Sequence, residues 1–128
     1  MSFQAEAIVG VARGGLTMSH CVAEGLNIRK VETLRTELYD GECKRNSIEL
    51  FGSCSFNGVK RALVVDDIAD SGETLKAVIQ HLEKEFPQVV FQSATLFYKK
   101  TSCYEPHYWV NEAENWIEFF WEKDFLHE

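Results

Sequence analysis

Residues Ala7 to Ala12 (AIVGVA) form a short apolar run rich in β-branched side chains, and Gly14-Gly15 closes it. A run of this kind predicts a buried parallel strand that feeds a turn. A helix is expected over Leu16 to Leu26. A second strand, nearer a sheet edge, is expected over Ile28 to Tyr39, where Ile28, Val31 and Leu34 stand among charged residues. From Asp40 to Gly58 the chain carries three glycines, two cysteines, Asn46 and Asn57, with alternation over Ser47 to Phe51. That composition predicts a mobile excursion or hairpin outside the sheet.

The clearest strand pattern is Ala62 to Val65 (ALVV), which runs directly into Asp66, Asp67 and then Asp70-Ser71-Gly72. Behind it Leu75, Val78, Ile79, Leu82 and Phe86 recur at helical spacing, and Pro87 ends the stripe. Val89 to Tyr98 (VVFQSATLFY) supplies the next strand, with Lys99-Lys100 at its C-terminal end. Strands alternating with helices imply an α/β fold: a parallel sheet with right-handed crossovers, whose ligands bind beyond the carboxyl ends of the strands. Three polar clusters fall at that edge.

At 128 residues and 45% hydrophobic content, the chain is expected to form one domain over 1–128 with a single core. No basic leader with an apolar core and no apolar run of bilayer length is present, so a soluble, cytoplasmic protein with no integral membrane segment is expected. The net charge of −7 opposes nucleic acid as a partner unless the basic residues cluster. Cys21, Cys43, Cys54 and Cys103 are scattered singly, with no histidine at zinc-ligand spacing, and read as free thiols. His20, His81, His107 and His127 read as surface or capping residues.

The chemistry concentrates in VVDDIADSGETL, Val64 to Leu75. Two carboxylates at a strand end are followed by a small-residue turn, Ser71-Gly72, and a helix start. The helix offers unpaired N–H groups and the positive end of its dipole, and Ser71 and Thr74 add hydroxyls. This is a phosphate cradle without a lysine. Asp66 and Asp67 repel phosphate, so their partners are sugar hydroxyls or a divalent cation. Upstream, Gly14-Gly15 let backbone amides approach a pyrophosphate and Arg13 adds a charge-assisted fork.

Val64 to Leu75 resembles the phosphoribosyl pyrophosphate signature of the type I phosphoribosyltransferases: apolar residues, two acids, two spacers, Asp, Thr or Ser, Gly, any residue, Thr. Ala12-Arg13-Gly14-Gly15-Leu16 resembles the pyrophosphate loop of the purine branch of that family, close to its xanthine-guanine members. Trp116-Ile117-Glu118 through Trp121-Glu122 resembles the base-binding C-terminal segment of the same branch.

The resemblance implies the type I phosphoribosyltransferase fold, a central, mainly parallel sheet flanked by helices with a small hood and flexible loop. It implies a transferase that moves the 5-phosphoribosyl group from phosphoribosyl pyrophosphate to a 6-oxopurine (guanine, xanthine or hypoxanthine), releasing pyrophosphate in purine salvage, with Mg2+ as cofactor. Asp66, Asp67, Asp70, Ser71, Gly72, Glu73 and Thr74 would grip the sugar phosphate, Asp67 would meet the metal, and Asp70 would be the general base. Arg13 and Gly14 would hold the pyrophosphate. Lys99 would donate to the purine 6-oxygen, with the register between Lys99 and Lys100 open by one residue. Trp116 would lie on the purine face, the Ile117 backbone on its edge, and Glu118 or Glu122 near the 2-position substituent. Tyr39 and the Asp40 to Gly58 segment would serve as a lid. A homo-oligomer, dimer or tetramer, is expected. Only Ser2 to Glu6 precede the first strand where the family carries a helix, which implies either a shorter domain or a truncated start; a missing helix would expose apolar surface, with dimerisation or instability as the result. A binding regulator or a degenerate paralogue with little turnover is the alternative, and the acidic charge weighs against a regulator of nucleic acid.

Overall fold

The computed structural model describes residues 3–40, 46–69 and 71–112. Within them the elements follow in the order β1 (Ala7–Ala12), α1 (Gly15–Leu26), β2 (Val31–Asp40), β3 (Asn46–Phe51), β4 (Arg61–Ala69), α2 (Glu73–Glu85), β5 (Val90–Tyr98) and β6 (Tyr108–Glu112). The strands form one sheet in the order β3-β2-β1-β4-β5-β6. All neighbours are parallel except β2 and β3.

The unbroken apolar runs of β1 and β4 follow from burial on both faces of the sheet. Ile8, Leu63 and Val65 pack on one face with Ala23 of α1, Phe3 and Ala94. Val9, Ala62 and Val64 pack on the other with Leu34 and with Leu75, Val78 and Leu82 of α2. The buried positions of α1 are Gly15, Ser19 and Ala23, spaced four apart, so this helix presents a ridge of small residues and lies close to the strands. A Cβ on Gly10 would strike Ser19, whose hydroxyl donates to the Gly15 carbonyl at 2.5 Å. Asn27, at φ 55° and ψ 47°, caps the helix in the left-handed region, a conformation its short polar side chain tolerates. In α2 the stripe Leu75, Val78, Ile79 and Leu82 is buried as its spacing predicts. Each such side chain contributes about 1.5–3 kcal/mol relative to exposure. At the opposite end of the sheet from the polar clusters, Phe56 meets Phe86 and Phe91 edge-on, with centroids 4.7 and 5.4 Å apart.

Two elements depart from the sequence expectation. The hairpin expected outside the sheet lies in it: β3 pairs antiparallel with β2 from Arg35↔Phe51 to Asp40↔Asn46. The physical reason is that β2 would otherwise present a long row of unpaired backbone groups, which β3 satisfies. Strand β6 had no prediction, because YWVNE is short and mixed. It pairs with β5 from Ala94↔Tyr108 to Tyr98↔Glu112. His107, at its entrance, is exposed and caps the backbone, as expected: the Ser93 N–H donates to its Nδ1 at 3.2 Å, and its own backbone N–H donates to Ser93 Oγ at 3.3 Å. Tyr104 shares the Ser93 hydroxyl at 2.9 Å, and burial pushes its phenol above the usual range while that hydrogen bond opposes the shift.

Candidate active site

Because β1, β4 and β5 are parallel neighbours, the three polar clusters that follow them are brought to one edge of the sheet. At the end of β4 the two acids part company. Asp66 is only 9% exposed, whereas Asp67 is partly exposed beside the turn that leaves β1. Asp66 Oδ1 accepts the Asp67 N–H at 2.8 Å, and Asp67 Oδ1 accepts the Ile68 N–H at 2.8 Å. Burial pushes the Asp66 carboxyl well above the ordinary carboxylate range, and the neighbouring Asp67 charge pushes it in the same direction.

The turn from β1 into α1 sits directly on this pair. A Cβ on Gly14 would fall onto the Asp67 carboxylate, and one on Gly15 would strike the Val65 carbonyl oxygen. The Ala12–Arg13 peptide bond is cis, and Arg13 is exposed at the start of the turn, where its carbonyl accepts the Leu16 N–H at 3.1 Å.

Downstream, Ser71 Oγ accepts the Glu73 N–H at 3.2 Å. Gly72 begins the helix at φ 85°, a conformation that only glycine adopts freely, and its carbonyl accepts the Lys76 N–H at 3.0 Å. Asp66, Asp67, Ser71, Gly72 and Thr74 together line a depression of about 210 Å3. Its lining combines two carboxylates with two hydroxyl side chains and the positive end of α2, so a ligand that carries a phosphate together with hydroxyls or a bound cation matches it. Among the described residues no group of three or more His, Cys, Asp or Glu side chains could hold a metal. A divalent ion here would draw most of its oxygens from the ligand, which is the habit of magnesium with phosphates.

Of the residues singled out in the sequence, Asp66, Asp67, Ser71, Gly72 and Thr74 come together, with Gly14 against Asp67 and Arg13 exposed one residue before Gly14. Glu73 is exposed and contributes its backbone N–H. Lys99 follows β5 and is tied to the end of β4 by its backbone, its N–H donating to the Ala69 carbonyl at 3.1 Å. Tyr39 lies on β2, its side chain outside the described residues. Asp70, Trp116, Ile117, Glu118 and Glu122 also lie outside the described residues.

Two features had no place in the sequence reading. The segment after Lys99 reaches back to the depression, where the Cys103 N–H donates to the Ser71 carbonyl at 2.7 Å. The signal was thin: a small polar run, Thr101-Ser102, between two strands. Thr95, register partner of Asp66 across β4 and β5, is 1% exposed, and its hydroxyl has no hydrogen-bond partner among the described residues. An alternating strand gives no warning of an unsatisfied hydroxyl.

Comparison with known proteins places these features in a family context. The model of the phosphoribosyl transferase domain matches residues 2–126. The xanthine-guanine phosphoribosyltransferase of Cereibacter sphaeroides is 31% identical over 125 residues, covering 91% of this chain and 68% of the relative. Among solved structures, the Helicobacter pylori xanthine-guanine-hypoxanthine phosphoribosyltransferase superimposes with a TM-score of 0.88 at 34% identity, over 95% of this chain and 79% of its own. The purine phosphoribosyltransferase from Pyrococcus horikoshii gives a TM-score of 0.76 at 30% identity, over 94% and 79% respectively.

Proposed function

This chain belongs to the phosphoribosyl transferase family and is a phosphoribosyltransferase, and from that premise we propose that it transfers the 5-phosphoribosyl group of phosphoribosyl pyrophosphate to a 6-oxopurine, releasing pyrophosphate. The observation that carries the reading is the depression at the end of β4, lined by Asp66 and Asp67 together with Ser71, Gly72 and Thr74 of the helix start. The names of the similar proteins, which include xanthine, guanine and hypoxanthine, support a purine as acceptor.

In this reading the 5-phosphate rests on the Ser71-Gly72 turn and the N–H groups that open α2, with Thr74 as a further donor. The ribose hydroxyls donate to Asp66 and Asp67, which fixes the sugar so that C1 faces the incoming base. Asp66, held above its ordinary range by burial, ionises more readily once hydroxyl donors and a cation are near, so ligand and carboxylate stabilise one another. Arg13 and the Gly14 amide receive the pyrophosphate as negative charge grows on it. Asp67 would be the protein ligand of a magnesium ion, which would supply positive charge to offset that growing on the diphosphate. Asp70 takes the proton released from the purine ring nitrogen. Lys99 donates to the 6-oxygen, and an ammonium, which cannot accept, disfavours the amino group of adenine. Trp116, Ile117, Glu118 and Glu122 complete the base pocket and Tyr39 the lid, in one domain that assembles as a dimer or tetramer.

The test is pyrophosphate release from phosphoribosyl pyrophosphate and magnesium with guanine, xanthine, hypoxanthine, adenine and orotate offered separately. Turnover with one or more 6-oxopurines, lost in Asp70→Asn, is the expected result. Sugar-phosphate binding without turnover on any base would overturn it.

A further inference from the structure

We propose that the loop from Lys99 to Tyr104 is a positioning strap that sets the Ser71-Gly72 turn and ties it to Lys99. The proposal rests on the reading of that turn as the phosphate site, and on three features of the backbone. Lys99 N–H donates to the Ala69 carbonyl at 3.1 Å and Cys103 N–H donates to the Ser71 carbonyl at 2.7 Å, so the loop grips β4's exit at two places. Between them the loop is closed on itself, with the Ser102 N–H donating to the Lys99 carbonyl at 2.9 Å and Ser102 Oγ donating to the Tyr104 carbonyl at 2.7 Å. Finally, the strap lies so close over Gly72 that an added Cβ would collide with Ser102 Oγ and come within 2.7 Å of the Tyr104 N.

These contacts do more than connect two strands. A turn with a left-handed Gly72 has few intrinsic preferences holding it, because glycine is as free in other conformations. Its attitude must therefore be set from outside, and the Cys103 amide on the Ser71 carbonyl does so at the residue whose hydroxyl and backbone face the phosphate. The strap is in turn anchored to β5 through Tyr104, whose phenol meets Ser93, buried at 0% exposure. Movement of Lys99 on base binding is thus transmitted to the phosphate turn through a short, hydrogen-bonded path. Ser102, Cys103 and Tyr104 supply this coupling between Lys99 and Ser71 without themselves touching the substrate.

The test removes one donor. Cys103→Pro deletes the N–H, while Cys103→Ala keeps it and deletes only the thiol. Titration calorimetry with phosphoribosyl pyrophosphate and magnesium, together with KM and kcat, is read for both. The expected result is a Kd and a KM for the sugar phosphate raised about tenfold in Cys103→Pro, with kcat changed by less than about threefold and Cys103→Ala restoring wild-type values. A purely structural role lowers the folded fraction, and with it apparent kcat, while KM stays at the wild-type value; that outcome overturns the strap, as does an equal loss in both variants. Ser102→Ala, a milder change, should raise the same KM in the same direction, and no change in it counts against the proposal. The calorimetric reading needs no turnover, so a chain that binds the sugar phosphate but is inactive on every purine sinks the proposed function and leaves the strap to stand or fall on the Kd.

Discussion

The carboxylate of Asp67 occupies the space into which a Cβ on Gly14 would project. The two residues belong to neighbouring strand exits, β1 and β4, and their apposition joins the candidate pyrophosphate turn to the candidate ribose and metal site with no side chain between them. A methyl group at position 14 has to move either the turn or the acid.

Gly14→Ala is therefore expected to lower kcat/KM by about 100-fold, because a displacement of about 1 Å at a reacting group has that effect. The thermal midpoint should move little, since the acid lies at the solvent edge of the sheet. Steady-state kinetics beside a melting curve check this, and a variant with near-native kcat/KM would show that the turn yields freely.

Asp66→Asn should separate stability from function. Burial raises the folded-state pKa of Asp66 above its unfolded value, so its contribution is present in full below the unfolded pKa, near 3.9, and is lost as pH climbs through the folded one. The unliganded protein thus carries a penalty at neutral pH that asparagine removes. The expected result is a higher Tm for Asp66→Asn than for wild type at pH 7, with the gap shrinking toward pH 4. Sugar-phosphate affinity should fall at the same time. Melting curves between pH 4 and 8 give the sign directly; a wild type whose stability rises with pH relative to Asp66→Asn would contradict it.

At the end of β5, Lys99→Ala should raise the KM for the purine about tenfold or more while leaving that for the sugar phosphate within about twofold, because one buried charge-assisted hydrogen bond is worth about 1.5–3 kcal/mol. Lys100→Ala should leave both unchanged. The reverse pattern would place the base contact one residue later.

Leu82→Ala addresses the scaffold alone. The side chain is 1% exposed on the face of α2 that packs against the sheet, and its truncation should cost about 2–5 kcal/mol by chemical denaturation. The KM values of the molecules that remain folded should be unaltered.

The pattern of apolar positions was enough to place β1, β4, α2 and β5, because each carries one period: unbroken for strands covered on both faces, 3.6 for the helix that shows Leu75, Val78, Ile79 and Leu82 to the core. The strand-to-helix turn within Val64 to Leu75, where the candidate phosphate site lies, was legible because its acids and small residues follow an apolar strand and precede a helical stripe. Pairing was less legible. The place of β3 depends on the open edge of β2, a tertiary fact absent from Ser47 to Phe51 themselves. The membership of β6 depends on Ser93 and His107, fourteen residues apart, finding one another. The grip of Cys103 on Ser71 is made by backbone atoms, which every residue type carries, so no sequence signature could announce it.

The strand order has one more consequence. From β1 the chain turns away through α1 toward β2 and β3, and from β4 it turns the opposite way through α2 toward β5 and β6, with α1 and α2 on opposite faces. Two neighbouring strands thus send their exits in divergent directions, and a cleft opens between them as a matter of winding rather than of side chains. The cleft is inherited from topology, and its occupants are written in a few short loops. Changes in those loops can alter what is bound while the apolar interior beneath, shared by every such alteration, keeps the framework intact. In that sense the architecture keeps evolvability and stability in separate parts of the chain.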